Sequence, residues 1–89
     1  MTDETPLDLR RKRLIYRSSY RGSKEADLFL GAFARARVPT MPDDQLDRFE
    51  ALLEEHDPDI MDWILERQPM PEVYRNDVMA LLQAFRLTP

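Results

Sequence analysis

Apolar residues recur along this chain at helical rather than strand spacing. Ala26, Phe29, Leu30, Phe33 and Ala34 fall at i, i+3, i+4, i+7 and i+8, the pattern of one buried helical stripe. Leu46, Phe49 and Leu53 form another, with Leu52 alongside, and Ile60, Trp63, Ile64 and Arg67 share a third face. Tyr74, Val78, Leu81, Leu82 and Phe85 repeat at i, i+4, i+7, i+8 and i+11. An earlier stripe of Leu7, Leu14 and Ile15 is thinner. No stretch alternates with period two over a useful length, so no strand is predicted.

The punctuation between these stripes agrees. Thr5-Pro6-Leu7-Asp8 reads as a helix start, with Thr5 as cap, Pro6 in the first turn and Asp8 near the positive end of the dipole. Gly22 interrupts that helix, and Ser23 is placed to cap the next. Pro39 and Pro42 bracket a short connection, and acidic residues from Asp43 suit a helix N-terminus. Asp57-Pro58 reads as cap plus first-turn proline, and Pro69 and Pro71 stop that helix. The expected fold class is therefore all-α, a compact bundle of about five short helices. Residues 1–89 form one domain, with a flexible N-terminus over about residues 1–5 and a tail over about 87–89. Phe29, Phe33, Phe49, Trp63 and Leu81 are its expected structural core.

Composition narrows the chemistry. With 43% apolar and 34% charged residues the chain belongs with globular rather than disordered proteins. The absence of cysteine removes disulfides, thiolate metal sites and cysteine nucleophiles, and the one histidine cannot build a multi-histidine centre, so no metal is expected. The charge-free run Leu28–Ala34 is far too short to span a bilayer, and the acidic start Met1-Thr2-Asp3-Glu4 lacks the apolar run of a signal peptide. A cytoplasmic protein without membrane insertion is the expectation.

The net charge of −4 conceals an asymmetry. Seven basic residues and no acidic one lie between Arg10 and Lys24, whereas ten acidic residues and one basic one, Arg48, lie between Asp43 and Glu66. Such a chain either steers partners electrostatically or carries two solvated faces of opposite sign. The run Arg10-Arg11-Lys12-Arg13 admits an alternative function, a small helical nucleic-acid-binding or regulatory protein, although the acidic half would repel a polyanion. His56 among Glu54, Glu55 and Asp57 reads as an exposed residue at a helix end, with no nucleophile or oriented partner to make it catalytic. Gly22 and Gly31 lack phosphate-loop spacing. Docking onto another protein, without catalytic residues of its own, is the reading these features favour.

Arg21-Gly22-x-x-Glu25, followed by Asp27-Leu28 and a stripe ending at Phe33, resembles the flavinator family of succinate dehydrogenase assembly factors. The basic stretch Arg11–Arg17, the segment Leu46-Asp47-x-Phe49-Glu50-x-Leu52-Leu53, and Asp57-Pro58-Asp59-x-x-Asp62-Trp63 continue the likeness, which runs from about Leu9 to Phe85. Ser23 and Ala26 depart from the family pattern, where larger side chains are usual. The resemblance implies a five-helix bundle that promotes covalent attachment of FAD to the flavoprotein subunit of succinate dehydrogenase, or of fumarate reductase. It implies client-binding roles for Arg21, Gly22 and Glu25, with Asp27 and Arg17 beside them. It also implies an assembly factor rather than an enzyme, monomeric when free, binding no nucleic acid and no stable cofactor, the FAD belonging to the client.

Overall fold

In the computed structural model, which describes residues 4–87, the first helix begins on a reciprocal cap. The Thr5 hydroxyl accepts from the Asp8 amide and the Asp8 carboxylate accepts from the Thr5 amide. Five α-helices follow in order: α1 (Pro6–Ser19), α2 (Lys24–Arg37), α3 (Asp43–Leu53), α4 (Asp57–Ile64) and α5 (Asp77–Ala84). Short 3₁₀ turns at Val38–Thr40 and Glu72–Tyr74 join α2 to α3 and α4 to α5. No strand occurs among the described residues. The expected flexible ends fall mostly on residues 1–3 and 88–89, outside the described ones, while Thr5 is held by its cap.

The helices surround one aromatic centre. Phe33 and Phe49 lie fully buried with ring centroids 5.4 Å apart. Phe85 sets its ring edge-on to Phe29 at 5.6 Å and to Phe33 at 5.5 Å. Trp63 is buried and stacks on Tyr74 at 5.3 Å. Thus four of the five expected core residues are buried, and the fifth needs correcting. Leu81 is only half-buried against the cluster, and Leu82 takes the fully buried place. The cause is the helix start: Asn76 accepts from the Met79 amide and caps α5, so Tyr74 belongs to the preceding 3₁₀ turn and the inward phase runs Val78, Met79, Leu82. Three methionines, Met41, Met61 and Met79, also fill the interior.

Two further expectations shift. α4 ends at Ile64, before Pro69, in a paired-carbonyl stop: the Arg67 amide reaches the Asp62 carbonyl at 2.8 Å and the Glu66 amide that of Trp63 at 3.3 Å. Glu66 takes the left-handed conformation this requires, φ +59°, and Arg67 leaves the buried face for solvent. Asp57 is inside α4 rather than its cap, since the cap position belongs to His56.

The charge asymmetry resolves inside the molecule. α1 and α3 run in the same direction, and the basic side chains of one meet the acidic side chains of the other. Arg10 contacts Asp47 at 2.6 Å and Glu50 at 3.6 Å, and Arg17 contacts Glu54 at 2.8 Å. Arg11 donates to the Met41 carbonyl at 2.7 Å, and Lys12 pairs with Glu4. The two halves of the chain thus complement each other rather than forming a bipolar exterior, and the Arg10–Arg13 patch keeps few cations for a polyanion.

α1 meets α2 through small residues. Ser18 is fully buried with its hydroxyl on the Leu14 carbonyl, and a Cβ built on Gly31 would come within 3.0 Å of the Ser19 hydroxyl. Because Trp63 bridges this bundle to the second 3₁₀ turn, Trp63→Ala is expected to cost about 3–5 kcal/mol. A urea denaturation midpoint equal to that of the wild type would show that the indole is not part of the core.

Candidate functional site

The corner between α1 and α2 is where the motif residues converge. α1 stops at Ser19, Gly22 turns the chain at φ +104°, and Ser23 begins α2 by accepting from the Ala26 amide. A positive φ of this size suits glycine and strains any other residue. The two departures from the family pattern have local work here: Ser23 is the cap, and Ala26 is wholly buried where α2 enters the bundle.

Arg21 braces the corner from beneath. Its Nε donates to Asp57 Oδ1 at 2.8 Å and its terminal nitrogen to the Glu55 carbonyl at 3.1 Å. The two paired side chains are each only 11% exposed. The Arg21 backbone amide donates to the Asp27 carboxylate, which ties the corner to the first turn of α2. One residue thereby links the α1–α2 corner to the start of α4. The network continues: Glu55 accepts from the Tyr74 hydroxyl at 2.5 Å, and Tyr74 stacks on Trp63. The hydrogen bond to Glu55, and secondarily burial, push the Tyr74 hydroxyl up to about 12.

The five expected client-binding residues therefore divide. Gly22 is exposed, and a Cβ placed on it meets nothing within 4 Å, so the space before it is open. Glu25 is exposed and touches Arg67 at 3.4 Å, which in turn holds Asp62 at 2.9 Å. Arg21 and Asp27 point inward, and Arg17 is engaged with Glu54. Arg21 directs its Nε and one terminal nitrogen inward, to Asp57 and the Glu55 carbonyl. Arg21 thus pairs with Asp57, and Glu25 with Arg67.

Sequence reasoning missed Asp57, the Glu55 carbonyl and Arg67 as members of this site. One signal was available: the Arg10–Asp47, Arg17–Glu54 and Arg21–Asp57 partners are separated by 37, 37 and 36 residues, a register of opposite charges. His56 is exposed at the start of α4 beside a shallow open depression of about 470 Å³ that Gly22, Ser23 and Pro58 also line. No group of three acidic, histidine or cysteine side chains that would hold a metal ion occurs among the described residues. No described helix is long and apolar enough to cross a membrane.

The chain is thus a small helical bundle that presents a braced, open glycine corner. The family described as flavinator of succinate dehydrogenase matches residues 12–86, and the chain belongs to that family. It is 41% identical over 73 residues to the mitochondrial succinate dehydrogenase assembly factor 2 of Dictyostelium discoideum, covering 82% of this chain and 52% of that protein. The same-named protein of Danio rerio is 42% identical over 81 residues, covering 89% of this chain and 51% of that one. The FAD assembly factor SdhE of Acetobacter pasteurianus is 41% identical over 69 residues, covering 78% of this chain and 63% of that one. The chain thus spans about half to two thirds of the length of these relatives. All three are named as assembly factors.

Two measurements test the brace. Arg21→Gln leaves Asp57 buried without its partner and is expected to cost about 3 kcal/mol. Arg21→Met with Asp57→Leu is expected to recover most of that loss, because no lone charge remains. Equal losses in urea melts of the two variants would show that the pair itself holds the corner. For Tyr74, the folded-state value lies above the unfolded one of 10.0, so its stabilisation is complete below pH 10 and is lost as pH rises toward 12. Tyr74→Phe is expected to flatten that part of the stability–pH curve, and an unchanged slope would refute the role of this hydroxyl.

Proposed function

We propose that this protein is an FAD assembly factor that binds the flavoprotein subunit of succinate dehydrogenase and promotes covalent attachment of FAD to it. The observation that carries the reading is the motif glycine at φ +104°, exposed, with open space before it and a buried ion pair behind it. Family membership and the names of the relatives support the choice of client. Fumarate reductase, whose flavoprotein presents the same problem of attachment, is proposed as a second client. The free protein acts as a monomer in the cytoplasm; "mitochondrial" in the eukaryotic names is said of those relatives.

The role requires no catalytic group here. The new bond joins a flavin methyl carbon to a client histidine, and its rate depends on holding the two in near-attack geometry. A protein that binds one arrangement of the client's domains raises the population of that arrangement by its differential affinity. Gly22 lets the two backbones approach closely, and Glu25, held only by an exposed contact to Arg67, is free to exchange that partner for one on the client. FAD stays with the client on this reading. The corner depression is lined by Glu55 and Asp57, and its single cation, Arg21, is already paired, a poor setting for a diphosphate.

In cells lacking this protein, flavin fluorescence on the flavoprotein subunit after denaturing electrophoresis is expected to be weak, and the wild-type gene restores it. Gly22→Arg is expected not to restore it, while a thermal melt shows the variant folded. Glu25→Ala is expected to weaken client binding by about 1.5–3 kcal/mol and to leave the free fold intact. An undiminished band in the deletion strain would overturn the function. Full restoration by folded Gly22→Arg would overturn the role of the corner.

A further inference from the structure

Two stripes run along α1, one residue out of phase. Arg10, Leu14 and Arg17, continued by Arg21 beyond the helix end, turn inward toward α3 and the start of α4. Leu9, Arg13, Tyr16 and Tyr20 repeat the same i, i+4, i+7, i+11 spacing and face solvent. Tyr16 is 65% exposed and Tyr20 70%, with their rings 4.6 Å apart, and Leu9 is 41% exposed. Arg13 is exposed and has no ion pair among the described residues. No acidic residue lies between Arg10 and Lys24 to neutralise this face.

A solvated helix face is ordinarily polar and charged. Tyrosine and arginine instead concentrate at the energetic centres of protein interfaces, where a ring supplies contact area at little entropic cost and a polar tip finds a partner. The inner arginines are consumed by α3 and α4, which leaves too few cations for a phosphate backbone. The stripe holds one aliphatic residue and neither Trp nor Phe, a thin anchor for a bilayer. Carboxylates on a protein suit it better, since phenol hydroxyls and a guanidinium all donate to them.

We propose that the Leu9–Arg13–Tyr16–Tyr20 stripe is a second docking surface, occupied by a carboxylate-bearing segment of the client flavoprotein. Tyr20 immediately precedes Arg21 and Gly22, so the stripe runs into the corner and the two surfaces form one continuous footprint. The inference rests on the docking function proposed above. It divides the labour of binding: the corner sets close approach, and the stripe supplies contact area and electrostatic attraction.

The test uses the intact protein and the purified flavoprotein subunit of succinate dehydrogenase, with Gly22→Arg as reference. Tyr16→Ala with Tyr20→Ala is expected to weaken binding at least about 10-fold with an unchanged thermal midpoint, both rings being exposed. Arg13→Glu is expected to slow association several-fold and to reduce its dependence on salt. If the double tyrosine variant binds like the wild type while Gly22→Arg does not bind, the stripe is refuted and the docking function stands. If association of Arg13→Glu is unchanged or faster, the carboxylate occupant is refuted. If the wild type does not bind the flavoprotein at all, both readings fall. Self-association of the wild type that disappears in the double variant would assign the stripe to a second copy of this chain and overturn the proposal.

Discussion

The ion pair between Arg21 and Asp57 is the contact on which the useful geometry of this protein depends. It joins the end of α1 to the beginning of α4, two points that no short connection links, and it does so with both side chains about nine-tenths buried. Such a pair gives little net stabilisation after desolvation, but removing one partner is costly, so it fixes an arrangement more than it strengthens the fold. Everything that faces outward at the corner inherits its position from that arrangement. Gly22 is held where its open side meets solvent, and Asp27 holds the backbone of the residue before it.

Pairing along α1 and α3 extends the same principle outward. Arg10 with Asp47 and Arg17 with Glu54 are exposed and individually weak. Their value lies in phase: both demand the same rotational setting of the two helices. A slip of one residue in either helix would turn the charged face by about 100° and break the pairs together. Leu14 lies on the same face as these arginines and is buried, so charge and packing select one alignment.

Much of this architecture was legible in the sequence because helical periodicity is a local signal. The stripe from Ala26 to Ala34, the Thr5 and Ser23 caps, and burial of Phe33, Phe49 and Trp63 all follow from neighbours within two turns. What was less legible depends on distant partners or on where a helix stops. Leu81 gave way to Leu82 because Asn76 begins α5 later than the apolar repeat suggests. Arg67 left the buried face because Glu66 ends α4 without a glycine or proline to announce it. Arg21 was read as outward-facing because its partner lies 36 residues away. The motif was visible, but the division between residues that shape the corner and residues that face outward was not.

The buried brace also bears on how tightly a partner can be held. A chain in which Arg21 has swung away from Asp57 sets Gly22 at another angle and presents a different surface to the proposed client. The affinity a partner experiences is then the intrinsic affinity scaled by the fraction of molecules with the brace closed. Conditions or substitutions that open it lower apparent affinity without touching a single contacting atom. Because the pair is shielded from solvent, ionic strength alters that fraction far less than it alters the exposed pairs along α1. The shape of the proposed docking corner is therefore insulated from the ionic medium, while the approach of a charged partner to it is not.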